Sequence, residues 1–263
     1  NTPQVVELRI SRRFGSSSAS QIVRLFASSR RIDFVTETDW QERHRMLKVH
    51  FESNLHCENA VHEIQFGCIE RPAHRSTAYA GDRYEVCQQR WSALREGNRG
   101  FALLNDGIFA VSSNRGELAL TLLRAPLVPA EDNNRGKHHF TYSLFAFATV
   151  LEHSGTVQAG YELNQPLRWI RASEEKRGFS LESQTMILET VKRAESGKGI
   201  ILRIYQSMNE IGQGILHLPF EAALREISMD ESETLAVLGV GKDFKLSAKP
   251  FEIKTYQLEW SGS

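Results

Sequence analysis

At 263 residues, 41% of them hydrophobic and 24% charged, the chain can fill one large β-domain or two ordinary domains beneath a soluble surface. Lysine plus arginine and aspartate plus glutamate each number 32, so the formal net charge is zero. That balance excludes a broad basic footprint for nucleic acid or for an anionic membrane. No apolar run reaches the length of a membrane span, and nothing at the start reads as a signal peptide. The chain opens on Asn1 rather than Met, which is expected of a piece excised from a longer protein. Cys57, Cys68 and Cys87 are odd in number and lack C-x-x-C spacing, so they read as small buried apolar residues in a reducing, cytoplasmic setting.

The first strands come as a pair. Residues 5–10 and 21–26 alternate apolar and polar positions around a polar turn at 14–18, a hairpin pattern with a loop of moderate length. Residues 30–36 read as a third strand, and 38–44 as a charged connection. In 45–51, Leu47, Val49 and Phe51 fall on one face while Met46, Lys48 and His50 fall on the other. Residues 63–74 then run through a strand into Gly, Pro and polar side chains. Residues 84–94 suit a strand or a short helix, and the surrounding strands favour strand.

Residues 100–105 and 107–112 are expected to form a hairpin about the Asp106–Gly107 step. Asn114, Arg115 and Gly116 turn the chain into 117–124, where Leu118, Leu120 and Leu122 share a face. Residues 139–147 place Phe140, Tyr142 and Leu144 together. Residues 163–180 lack periodicity and read as a connection. Beyond them, 185–193 and 200–205 form a hairpin, with further strands at 216–220, 234–240 and 251–260. The pair Gly239 and Gly241 reads as a turn. No helix with caps and a sustained 3.6 period stands out.

Known catalytic signatures are missing: there is no G-x-S-x-G, H-E-x-x-H, Walker loop or dinucleotide fingerprint. His44, His50, His56 and His62 recur every six residues, but breaks between them prevent a single lined face. His138 and His139 point to opposite faces, which argues against a shared metal. Glu70, Asp82, Glu85 and Asp106 are carboxylates that glycoside hydrolysis could use, yet sequence alone pairs none of them. Arg71, His74, Arg75, Tyr79, Arg83, Trp91, Arg124 and Tyr142 form an aromatic and arginine mix suited to sugar surfaces.

Several motifs in order resemble one family. IDFVTETDW at 32–40 with RMLKV at 45–49, EIQFGCIERPAH at 63–74, and RYEVC at 83–87 with Trp91 are similar to the C-terminal β-region of glycoside hydrolase family 38 α-mannosidases. GFALLND at 100–106, LLRAP at 122–126 and FTYSL at 140–144 continue the likeness. It covers about residues 5–151 and is looser over 181–260, where GIILRIY at 199–205 and FEIKT at 251–255 carry it.

The resemblance implies an all-β fold: a large antiparallel, mutarotase-like supersandwich over 1–165, a connection over 166–182, and a smaller immunoglobulin-like β-sandwich over 183–263. It implies a retaining mechanism that uses an aspartate nucleophile, a carboxylic acid/base and a zinc ion. All of these belong to an N-terminal catalytic domain outside these residues, so no metal or cofactor is expected in this chain. The partners it implies are that catalytic domain and an α-mannoside, with homo-oligomer contacts left open. Arg124, with Asp106 and Tyr142, is then expected at the substrate rim, and Arg71 and His74 at an interdomain seam. Two departures stand out. Family members often have two adjacent arginines where this chain has Arg124 and Ala125, and a tryptophan common in bacterial relatives is missing near Tyr79. The alternatives are a carbohydrate-binding module, with Trp40, Trp91 and Trp169 as its aromatic platform, and a purely structural β-module.

Overall fold

A computed structural model describes residues 4–128, 134–168, 171 and 178–260. The chain divides into two compact units, one of residues 1–65 and 69–167, the other of residues 66–68 and 168–263. The expected all-β class is what the structure has, and every strand pairing it describes is antiparallel. Among the described residues, no helix is long and apolar enough to cross a membrane.

In the first unit, β1 (Val5–Phe14), β2 (Ser17–Phe26) and β3 (Arg31–Trp40) form one side of an eight-stranded sheet. Then come β4 (Met46–Glu52), β5 (Asn59–Ile64), β6 (Gly67–Pro72), a short helix α1 (Ala78–Asp82) and β7 (Val86–Cys87). The strands β8 (Trp91–Glu96), β9 (Arg99–Asn105), β10 (Ala110–Asn114), β11 (Glu117–Arg124) and β12 (Gly136–Phe147) follow, and α2 (Thr156–Asn164) closes the unit. The eight-stranded order is β1-β2-β3-β12-β9-β8-β5-β6, and the facing sheet has four strands, β4-β11-β10-β7. Between the sheets lie the leucines that sequence alternation assigned to one face, Leu118, Leu120 and Leu122 of β11. Tyr142 stacks on Phe34 with centroids 5.1 Å apart, and Phe51 of β4 meets Phe34 edge-on at 5.6 Å.

The first hairpin turn is tighter than expected: Phe14 pairs with Ser17, leaving only Gly15 and Ser16 in the turn. The Asp106–Gly107 step makes no hairpin, because β9 and β10 belong to different sheets. Asn105 governs the crossover, its side-chain oxygen accepting from the backbone N–H groups of Gly107 (3.0 Å) and Ile108 (2.6 Å). Residues 84–94 split into β7 and β8 on different sheets.

The helix α2 has no clear sequence signature because it starts from Gly155 with no side-chain cap and carries Gly160 in its body. Packing selects it: a side chain at Gly160 would lie 3.2 Å from the Trp91 ring. Asn164 then ties the helix end to the carbonyl of Asn105 at 2.8 Å.

The second unit is built from β13 (Ser180–Ser183), β14 (Met186–Arg193), β15 (Ile200–Gln206), β16 (Gly212–Ile227), β17 (Thr234–Ala248) and β18 (Ile253–Glu259). The first of these begins inside the stretch read as a connection. The long pair β16 and β17 breaks register between His217 and Ala222, where Pro219 can donate no ladder hydrogen bond. Residues from both sides of this break, Leu216 and Phe244 on one and Leu224 and Tyr256 on the other, share one core. Gly239 and Gly241 are not a turn but lie within β17, opposite Leu224 and Ala222. The pairing skips Leu238, and Gly239 takes φ 111° at that bulge.

The sharpest local constraint is the β10–β11 turn, where Arg115 and Gly116 have φ 42° and 89°. A Cβ on Gly116 would lie 2.7 Å from the Leu55 carbonyl oxygen and 2.9 Å from that of Ser53. We expect Gly116→Ala to destabilise the chain by about 1–3 kcal/mol, read as a lower midpoint in urea unfolding with an unchanged slope.

Candidate functional site

The residues expected at a substrate rim do not converge. Tyr142 is 3% exposed and its hydroxyl accepts from Gln21 Nε2 at 2.8 Å, so it is a core residue between the sheets. Burial pushes its hydroxyl pKa up, against the hydrogen bonds of Gln21 and Thr36. Asp106 is exposed, and its carboxylate accepts from the backbone N–H of Thr141 at 2.8 Å while its own N–H donates to the Thr141 carbonyl at 3.1 Å. It closes the end of the β9–β12 ladder. Among the described residues no hydrogen bond or ion pair joins Arg124 to either.

Arg124 ends β11 with an exposed side chain, opposite Met46 of β4. The next residue, Ala125, is pinned by main-chain bonds to His44 and Arg45, both 2.9 Å, and is 6% exposed. Glu131 and Asp132, the acidic residues that follow Arg124 along the chain, lie outside the described residues.

Arg124 does act on Glu85, a carboxylate that the sequence alone leaves unpaired. Its charge reaches Glu85, which lies against the outer face of the four-stranded sheet. Lys48 Nζ donates to Glu85 Oε1 at 2.9 Å and to Ser112 Oγ at 3.2 Å, and the Thr121 hydroxyl donates to the same carboxylate. Burial raises the Glu85 pKa, but the bonds from Thr121 and Lys48 and the two cationic charges outweigh it and hold it below the usual range. The cluster is a fixed carboxylate among cations. The signal for it was Lys48 on the polar face of an alternating strand, a position that gains meaning only when β11 is laid beside β4.

Arg71 and His74 are half-buried. Arg71 donates to the Cys87 carbonyl at 3.4 Å, and His74 Nδ1 accepts from Ser76 N–H at 3.3 Å. Glu70 is bound by Arg95, which also holds Glu152. Trp40 and Trp91 are 2% and 1% exposed, so neither offers a sugar platform; Trp169 lies outside the described residues.

His62 alone of the six-residue histidine series is fully buried, at 0% exposure. Its Nδ1 lies 2.7 Å from Ser92 Oγ, which itself donates to Gln88 Oε1 at 2.6 Å. With its only hydrogen spent on Gln88, the hydroxyl must accept, so Nδ1 carries the proton and Nε2 is a bare lone pair.

Set against known proteins, residues 1–132 match the glycosyl hydrolases family 38 C-terminal domain, and residues 185–256 match the family 38 C-terminal beta sandwich domain. The chain belongs to glycosyl hydrolase family 38, as part of its C-terminal region. It is 33% identical to alpha-mannosidase G of Dictyostelium discoideum over 92% of its own length, and 34% identical to alpha-mannosidase 2C1 of Homo sapiens over 90%. It spans 24% of the length of each of those relatives. An alpha-mannosidase structure from Enterococcus faecalis V583 superposes with a TM-score of 0.79 at 20% identity, covering 92% of this chain and 29% of that one, and so shares the fold.

One feature of this family 38 region has a measurable pH signature. Burial, then the neighbouring Arg71 charge, push the His62 pKa down to about 3. The unfolded chain binds that proton near pH 6.5 and the folded chain does not, so the stability is complete above pH 6.5 and is lost on acidification. We expect a loss of about 1.4 kcal/mol per pH unit below 6.5, continuing toward pH 3. Urea unfolding across that window should show a flatter profile for His62→Gln than for the unaltered protein.

Proposed function

We propose that this chain is the C-terminal part of an α-mannosidase that hydrolyses α-mannosides with retention of configuration. In this reading it braces the catalytic domain of the same polypeptide and has no hydrolytic activity alone. The relatives it matches are α-mannosidases of which it spans 24%, and the bulk of their length is where the nucleophile, acid/base and zinc would lie. Among the described residues, no group of three His, Cys, Asp or Glu side chains is placed to hold a metal.

The observation that carries the bracing role is the inner face of β1 and β2. Leu8 pairs with Val23, Val23 with Phe34 and Phe34 with Tyr142, so Leu8 shares the core face. The neighbouring row places Val6, Leu25, Ile32 and Leu144 there too. Yet Val6, Leu8 and Leu25 are 52%, 59% and 47% exposed. A core face left in water is a docking face. Arg124, exposed beside the Lys48–Glu85 cluster, is the residue retained here for the substrate rim. Three free thiols, Cys57, Cys68 and Cys87, support a reducing, cytoplasmic setting.

The test is a chromogenic α-mannoside offered with zinc to the full-length polypeptide and to this chain alone. Turnover by the first only, with the α-anomer as the first product seen by NMR, is expected; turnover by this chain alone would sink the proposal. In the full-length protein, Leu8→Asp should lower the melting temperature and increase protease cleavage, the effect of denying an apolar side chain about 1.5–3 kcal/mol of burial. Arg124→Ala should lower kcat/KM about tenfold or more with the melting temperature unchanged, and unchanged kinetics would make Arg124 structural.

A further inference from the structure

Where β6 and β7 end their two sheets, the sandwich is closed by the segment that carries α1. A small chamber remains there, lined by His62, Arg71, Tyr79, Arg83, Val86 and Ser113, with about 10 Å³ of space for the centre of a water-sized group. That volume admits one oxygen atom and not a whole anion. His62 forms one wall, and its buried Nε2 has no hydrogen-bond partner. Arg83 lies over the Tyr79 ring at 4.2 Å, and both side chains are exposed at the mouth.

The charges are unbalanced. Arg71 is partly withdrawn from water, and the next influence on it is the like charge of Arg83; no carboxylate is among the groups acting on it. Among the described residues neither arginine makes an ion pair. Its one hydrogen bond, to the Cys87 carbonyl, leaves most of the guanidinium fork unused. Two guanidiniums gathered at a half-buried site repel one another unless an anion sits between them, and their planar forks match the oxygens of a carboxylate or phosphate. A neutral sugar would satisfy donors but would leave both charges uncompensated.

We propose that the Arg71–Arg83 mouth binds an oxyanion, a carboxylate or phosphate group held between the two guanidiniums and outside the chamber, where His62 Nε2 offers a lone pair and no donor. This ligand has two sources, a small oxyanion from solution or a carboxylate side chain from another part of the same polypeptide.

Thermal unfolding of the full-length polypeptide in inorganic phosphate, against chloride at matched ionic strength, separates them. If the source is solution, phosphate at about ten times its Kd raises the melting temperature by roughly 2–4 °C, and Arg83→Gln abolishes the shift. If the source is the polypeptide, phosphate gives no shift. Arg83→Gln then melts several degrees below Tyr79→Leu, which removes the ring contact alone, and Arg83→Lys recovers part of the loss. The proposal is overturned if a phosphate shift survives in Arg83→Gln. It is equally overturned if phosphate gives no shift and Arg83→Gln melts no lower than Tyr79→Leu. Because Arg83 is exposed, the test does not depend on whether variants of Arg71 fold.

Discussion

The constraint that governs the first unit is a mismatch of width. Four strands face eight, so the smaller sheet cannot cover the whole of the larger one. The four-stranded sheet sits where its own apolar residues can reach, with Phe51 of β4 against Phe34 of β3. Its opposite edge, Val86 of β7, comes to His62 of β5 and Arg71 of β6. The uncovered width must therefore fall on β1 and β2. No choice of side chains there would remove it, because strand number sets it; the residues decide only whether the exposed face is polar. They are Val6, Leu8 and Leu25.

On the opposite side of the sheet the same economy of cover recurs through a helix. Trp91, Leu104, Phe145 and Phe147 point away from the facing sheet, and each is nonetheless buried. The helix α2 and the 3-10 turn at Leu151–His153 lie near this surface. Glu63 accepts from the backbone and guanidinium of Arg90, which in turn lies 3.6 Å from the Tyr161 ring centre of α2. A carboxylate that is 2% exposed would be costly if left unpaired, so this bond joins β5, the residue that leads into β8 and the helix that covers them.

Period-two alternation made most strands legible, because apolar residues recur at every second position of β1, β4 and β11, whatever covers them. It carried no information on what covers a strand that is buried on both faces. Phe101, Ala102, Leu103 and Leu104 are all core, and the helix that covers one of their faces has no side-chain cap and carries a disfavoured Gly160 in its body. Sheet membership was illegible for a different reason: Asp106–Gly107 has the composition of a hairpin turn, and only the Asn105 bonds to Gly107 and Ile108 redirect the chain to the other sheet. Tyr142 read as a rim residue because it belongs to an aromatic and arginine mix suited to sugar surfaces, whereas its ring is turned inward by stacking on Phe34 of the adjacent strand. Family motifs identified the region well, since they record ordered residues across the whole chain, but they carried no information on which of those residues turn inward.

The two ends of the sandwich are thus solved by opposite chemistry. At β1 and β2 the sheet ends in apolar side chains whose desolvation needs another surface. At β6 and β7 it ends in a buried neutral histidine, a half-buried guanidinium and a second cation at the mouth. Apolar area gives affinity without direction, whereas paired guanidiniums accept an oxyanion only in defined geometry. If both ends meet parts of the same polypeptide, the apolar face would supply most of the binding energy and the arginine end the register. If the arginines instead hold an anion from solution, the apolar face must fix the orientation alone, and its shape rather than its area becomes the specificity determinant.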